Sequence, residues 1–159
     1  MKVFGVIVSG FLIFVVCSPT ARAQGFNGII PLKSDCSDVE RIFHVETCTA
    51  PSSTYLLKNY WVTVTVASDI GRAKVCYKVP AGTITTIHVS YNNRVPIEKF
   101  GIRLKREVRL SSDLNGDEYS NSSLGVSAVV INGLVSDATF GPTPKNHRLF
   151  ARKCPGKGR

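Results

Sequence analysis

The chain has 159 residues, with 20 lysines and arginines against 11 aspartates and glutamates and a net charge of +9. Its apolar content is ordinary for a folded domain, which argues against a disordered chain, and its length suits one domain with a proper core. A basic balance of this size favours acidic partners.

The first element is "MKVFGVIVSGFLIFVVCSPTARA", residues 1–23. A basic Lys2, an apolar run from Val3 to Cys17 and a terminal Ala21-Arg22-Ala23 give the three regions of a secretory signal peptide, with cleavage expected before Gln24. The run of about 15 residues falls short of the roughly 20 that a spanning helix needs. No later segment is apolar enough for a transmembrane span, so residues 24–159 are expected as one secreted, extracellular domain. Loss of Lys2 and Arg22 takes the 20 basic residues to 18 against 11 acidic ones, a net charge of +7.

Cys36, Cys48, Cys76 and Cys154 remain after cleavage. Four cysteines in a small exported domain read as two disulfides with three possible pairings. The favoured expectation is Cys36–Cys154 with Cys48–Cys76. The wide spacing offers no Cys-x-x-Cys pair, so no metal site is expected.

Alternation of apolar and polar residues then dominates. "RIFHVET" (41–47) reads as a strand. "YWVTVTVAS" (60–68) is the clearest, with Val62, Val64 and Val66 on one face and Trp61, Thr63 and Thr65 on the other. "AKVCYKV" (73–79), "GTITTIHVSY" (82–91), "IEKFGIRL" (97–104), "LGVSAVVI" (124–131) and "HRLFAR" (147–152) follow. Turn chemistry separates them at Ser68–Gly71, Tyr91–Asn93, Asn115-Gly116 and Asn132-Gly133. Seven or eight short strands at this spacing predict an all-β antiparallel sandwich or small barrel.

"SSDLNGDEYSNSS" (111–123) is polar and reads as an exposed loop. It carries the sequon Asn121-Ser122-Ser123, so Asn121 is the expected glycosylation site. Its Asp113-x-Asn115-x-Asp117 spacing starts like a calcium loop. Glu118 then stands where the required glycine belongs, and Leu124 where the bidentate glutamate belongs.

His44, His88 and His147 are the histidines, and none lies in a hydrolase, metalloprotease or Cys–His motif. No catalytic residue or cofactor is assigned, and the expectation is a non-enzymatic protein. The densest charge is in "IRLKREVRL" (102–110). As a strand it sets Glu98, Phe100, Ile102 and Leu104 against Lys99, Gly101, Arg103 and Lys105, and the alternation slips near 105–106. Arg103, Lys105, Arg106 and Arg109 are expected to join Arg148, Arg152 and Lys153 of the basic C-terminal tail (145–159) in one patch. Such a patch attracts an acidic extracellular protein, a sulfated glycan or an anionic surface. Nucleic acid is not expected, since no aromatics are interleaved for stacking. Arg103-Leu104-Lys105-Arg106 also fits the pattern cut by secretory convertases.

Residues 35–70 carry Asp35, Cys36, Cys48, Lys58, Tyr60, Val62 and Val64 at positions that resemble the opening of MD-2-related lipid-recognition domains. The chain lacks that family's further cysteine just after the second one and its later cysteine-bearing loop. The resemblance implies a β-sandwich holding a lipid between its sheets, lined by Trp61, Val62, Val64 and Phe100. A carrier of a lipid or other hydrophobic ligand is therefore the alternative expectation.

Overall fold

Asp35 is the first point where the chain departs from the strand pattern. In a computed structural model, which describes residues 25–49, 51–67, 76–100, 103–106 and 116–152, residues 41–47 do not form the expected strand. Helix α1 (Cys36–Phe43) occupies this region instead. Asp35 caps it: its carboxylate accepts from the N–H groups of Ser37 and Asp38, and the Asp38 carboxylate reaches back to the Asp35 N–H. This reciprocal box satisfies donors that a helix start leaves open. The Ser37 hydroxyl, then the Asp38 N–H, hold the Asp35 carboxyl below its ordinary range. Val39 and Phe43, one turn apart, are buried, and His44 closes the helix in a left-handed conformation with φ 54°.

The helix decides the disulfides. Cys36 pairs with Cys48, twelve positions on, which overturns both Cys36–Cys154 and Cys48–Cys76. Twelve extended residues would carry Cys48 about 40 Å away. The helix shortens that path, and the chain doubles back after His44. The Cys48 N–H then donates to Glu40 Oε1 at 3.0 Å, beside the first turn. Cys76 is disulfide-bonded as well. Its partner, and Cys154 itself, lie outside the described residues, as do residues 1–23, expected as a leader, and Arg109 and Lys153.

The remaining elements are β1 (Ser52–Leu57), β2 (Tyr60–Val66), β3 (Cys76–Tyr77) and β4 (Ile84–Pro96). They continue with a 3-10 turn (Ile97–Lys99), β5 (Lys105–Arg106), β6 (Asp117–Asn121), β7 (Val126–Ile131), β8 (Leu134–Phe140), α2 (Pro144–Phe150) and β9 (Ala151–Arg152). Seven strands form one antiparallel sheet in the order β1-β2-β4-β8-β7-β6-β5, and β3 pairs with β9 in a separate ribbon. The antiparallel, mostly β expectation stands at this level. Several local expectations do not. Residues 117–121, expected in a loop, form β6 against β7. Residues 97–99 coil, and among the described residues of that charged stretch, 103–106, Lys105–Arg106 are strand. Residues 147–150 belong to α2.

The sheet has one apolar face. Register sets Val62 opposite Val89, Val64 opposite Ile87, and Ile87 opposite Phe140. Phe140 in turn faces Val126, and Ala138 faces Ala128. All are buried in a cluster with Ile29, Val39 and Phe43. The Phe26 ring joins the layers, 5.3 Å from Tyr60, 5.7 Å from Phe140 and 6.4 Å from Phe43 between centroids. The hairpin turn between β7 and β8 is Asn132-Gly133, both at positive φ (52° and 77°). Those angles match the twist of the flanking strands. A register shift follows, and Ser136 becomes the extra residue. Its hydroxyl donates to the Val129 carbonyl, which keeps the buried bulge satisfied.

Tyr91 sits where β4 leaves the ladder, its ring edge-on to Tyr60 and Phe100. Burial, then the neighbouring Tyr60, push its hydroxyl up to about 12. The folded protein holds this proton more tightly than the unfolded chain, whose tyrosines titrate near 10. Stability is therefore fully retained below pH 10 and falls from there to about pH 12. Urea midpoints across that range are expected to fall less steeply for Tyr91→Phe than for the parent. An identical slope in both would show that Tyr91 does not carry the linkage.

Candidate functional site

The opposite face of the sheet is polar. Across the strands, Lys105 stands opposite Ser120, Ser120 opposite Ser127, and Ser127 opposite Thr139. Thr139 stands opposite His88, His88 opposite Thr63, and Thr63 opposite Thr54. One row of hydroxyls thus crosses the sheet, with an ammonium at one edge and an imidazole near the middle. The Thr54 and Thr63 hydroxyls bond each other at 2.9 Å. A second row on the same face runs from Glu118 through Val129, Asp137 and Ser90 to Trp61 and Leu56. Alternation along each strand keeps both rows away from the core.

Helix α2 turns part of this face into a groove. Thr143 caps it by accepting from the Asn146 N–H, and Pro144 fits its first turn. The His147 ring packs edge-on against Tyr77 of β3, 5.9 Å away. Burial raises the Tyr77 hydroxyl above its ordinary range. Between α2 and strands β6–β8 lies a cavity of about 700 Å³. Its floor includes Ser120, Ser127 and Thr139, its sheet side adds Glu118 and Ser122, and its helix side carries His147 and Arg148. The volume is in the range of sites for drug-sized ligands. Gly125, at φ 70°, lets the end of the β6–β7 turn approach Gly141, and their N–H···O bond is 2.7 Å. A Cβ at Gly125 would stand 2.3 Å from the Gly141 oxygen, so only glycine fits this corner of the groove.

Thr139 links the groove to a cluster beside it. His88 Nδ1 and the Thr139 hydroxyl are 3.1 Å apart. The Ser90 hydroxyl donates to Asp137 Oδ1 at 2.6 Å and lies 3.3 Å from His88 Nε2. Asp137 Oδ1 is 3.6 Å from the same Nε2. Serine, histidine and aspartate are all present, yet the wiring differs from a relay. A relay needs the base nitrogen on serine and the carboxylate on the other ring nitrogen. Here both Ser90 and Asp137 share Nε2, and Ser90 gives its proton to the carboxylate. The arrangement orients hydroxyls and an imidazole outward on a flat face, which suits hydrogen bonding to a ligand.

The expected basic residues are only partly gathered. Arg103 and Lys105 are exposed at the β5 edge, and Lys105 shares its face with the groove floor. Arg106 pairs with Tyr119 along the ladder. Arg148 lines the groove, whereas Arg152 lies in the β3–β9 ribbon opposite Cys76. Asn121 ends β6 rather than sitting in a loop. Its amide donates to the Arg103 carbonyl at 2.8 Å, and its Oδ1 accepts from the Ser123 hydroxyl at 2.7 Å. His44 serves as the end of α1. The lipid-lining set implied by resemblance is divided, since Val62 and Val64 are buried in the core while Trp61 is 46% exposed on the opposite face. The Ser120–Ser127–Thr139–His88 row was not read from sequence, because cross-strand register has no local signal. The one available cue was Trp61 with Thr63 and Thr65 on the polar side of β2.

Among the described residues, no helix is long and apolar enough to cross a membrane. No protein-family model matches the chain, and no similar curated protein or solved structure is found.

Proposed function

We propose that the chain is a secreted, non-enzymatic binding protein that takes an acidic extracellular partner in the groove between α2 and β6–β8. The signal-like residues 1–23 and the disulfides support export. The observation that carries the binding reading is the Lys105–Ser120 pairing. It sets Lys105 of the charged stretch on the sheet face that meets Arg148 and His147. Two basic segments far apart in sequence thereby flank a floor of hydroxyls that both donate and accept. Glu118 is the single carboxylate of that lining. Asn121 is the proposed glycan acceptor, at the far end of β6 from Asp117.

Retention on immobilised heparin tests the reading. The secreted protein is expected to bind at about 0.15 M salt and elute as screening rises. Lys105→Ala and Arg148→Ala are each expected to elute earlier, and the double variant earlier still. Passage of the parent through the column, or unchanged elution of all three variants, would overturn it.

A further inference from the structure

The groove does not end at Thr139. Past it on the same face lie His88 and Ser90, and past them Trp61, which is 46% exposed beside Leu56 at 60%. These are two of the three large apolar side chains that stand exposed among the described residues, and they occupy adjacent strands in register. At the usual strand spacing and rise, Trp61 is about 12 Å from Thr139, two strands away and two residues along. Between them every neighbouring outward side chain is a hydroxyl, an imidazole or a carboxylate, and four of these are already oriented by mutual bonds.

We propose that this face binds an acidic oligosaccharide, lying across the strands with its anionic groups in the groove and a sugar ring on Trp61. The proposal rests on the acidic-partner reading above and narrows it to a ligand class. Sugars combine a C–H face with a rim of hydroxyls, and the protein face supplies the complement of both. The indole offers an apolar plane with a polar edge. Ser90, Asp137, His88 and Thr139 pair with hydroxyls that donate and accept. Lys105 and Arg148, at the other end, complement sulfate or carboxylate groups. An acidic peptide would use the cations and leave the Trp61 end unused. Of the two carboxylates on this face, Asp137 accepts from sugar hydroxyls at the Trp61 end, while Glu118 stands in the groove lining beside the cations.

Trp61 is the only tryptophan of the chain, so its emission reports this site alone. The test titrates the secreted protein with heparin-derived oligosaccharides of increasing length, and with polyglutamate as the acidic-peptide probe. Oligosaccharides long enough to cross from Arg148 to β2 are expected to shift or quench Trp61 emission. Disaccharides are expected to bind weakly and leave it unchanged. Trp61→Ala is expected to lose about tenfold in affinity for the long chains, as suits one aromatic contact, and none for disaccharides. Trp61→Phe, which keeps a ring, is expected to recover most of that loss. Circular dichroism of both variants confirms the fold.

Saturable binding with unchanged Trp61 emission, and equal affinity in Trp61→Ala, would overturn the proposal while leaving the acidic groove standing. Polyglutamate binding as tight as the long oligosaccharides would overturn the sugar class. Failure of every polyanion would sink the groove reading as well.

Discussion

Phe140→Ala is expected to destabilise the protein by about 3–5 kcal/mol, read as a lower urea midpoint with little change in slope. Phe140 is 2% exposed and stands opposite both Ile87 of β4 and Val126 of β7. Its ring also meets Phe26, the aromatic that carries the N-terminal segment onto the sheet. Removing it leaves a cavity where three parts of the chain converge, and the sheet backbone cannot close around it. A small domain has about 5–15 kcal/mol in all, so the loss is a large share. Phe140→Leu, which keeps most of the volume, is expected to cost less. A fall in midpoint no larger than that of Leu149→Ala, on the exposed side of α2, would show that Phe140 does not join the layers.

Loss of the Cys36–Cys48 bridge is expected to cost roughly 3 kcal/mol, the chain-entropy value for a closed loop of this length. The double variant Cys36→Ala/Cys48→Ala leaves no unpaired thiol to exchange. The effect should centre on α1, because the bridge ties its first turn to the segment that returns beside Glu40. Proteolysis of the unreduced parent is expected to release a peptide pair joining Cys36 to Cys48, and no pair joining Cys36 to Cys154. Recovery of a Cys36–Cys154 pair would contradict the fold around α1. A cost under about 1 kcal/mol in the double variant would show that the capping box and Val39–Phe43 burial suffice to hold the helix.

The strands best legible in the sequence are those with one buried face. Val62, Val64 and Val66 alternate with polar residues because β2 lies inside the sheet with one side open, and β4 and β7 read the same way. β8 was illegible because its bulge breaks the period: Val135 and Ser136 are consecutive and both buried. β6 was read as a loop because Asp117–Asn121 holds one apolar residue, Tyr119. A strand near the sheet edge needs little more. α1 was masked by a chance alternation over 41–47, while its real signal, Asp35 with Asp38 three residues on, lay just upstream. The basic residues were visible as a list, but which of them share the face of the groove follows from a register that no single segment encodes. The same holds for the polar row, whose members come from seven strands.

The sheet is made of two local halves, β1-β2-β4 and β8-β7-β6-β5, and only the β4·β8 pairing joins them. His88 and Thr139 meet across that seam at a sequence separation of 51, while the neighbouring hairpins close over short turns. Each half can assemble quickly from near-neighbour contacts, but the seam requires closure of a long loop before any ladder bond compensates it. Docking of the two halves is therefore expected to be slower than closure of the hairpins within them. The surface that spans them, from the α2 groove to Trp61, comes into being only when that step is complete.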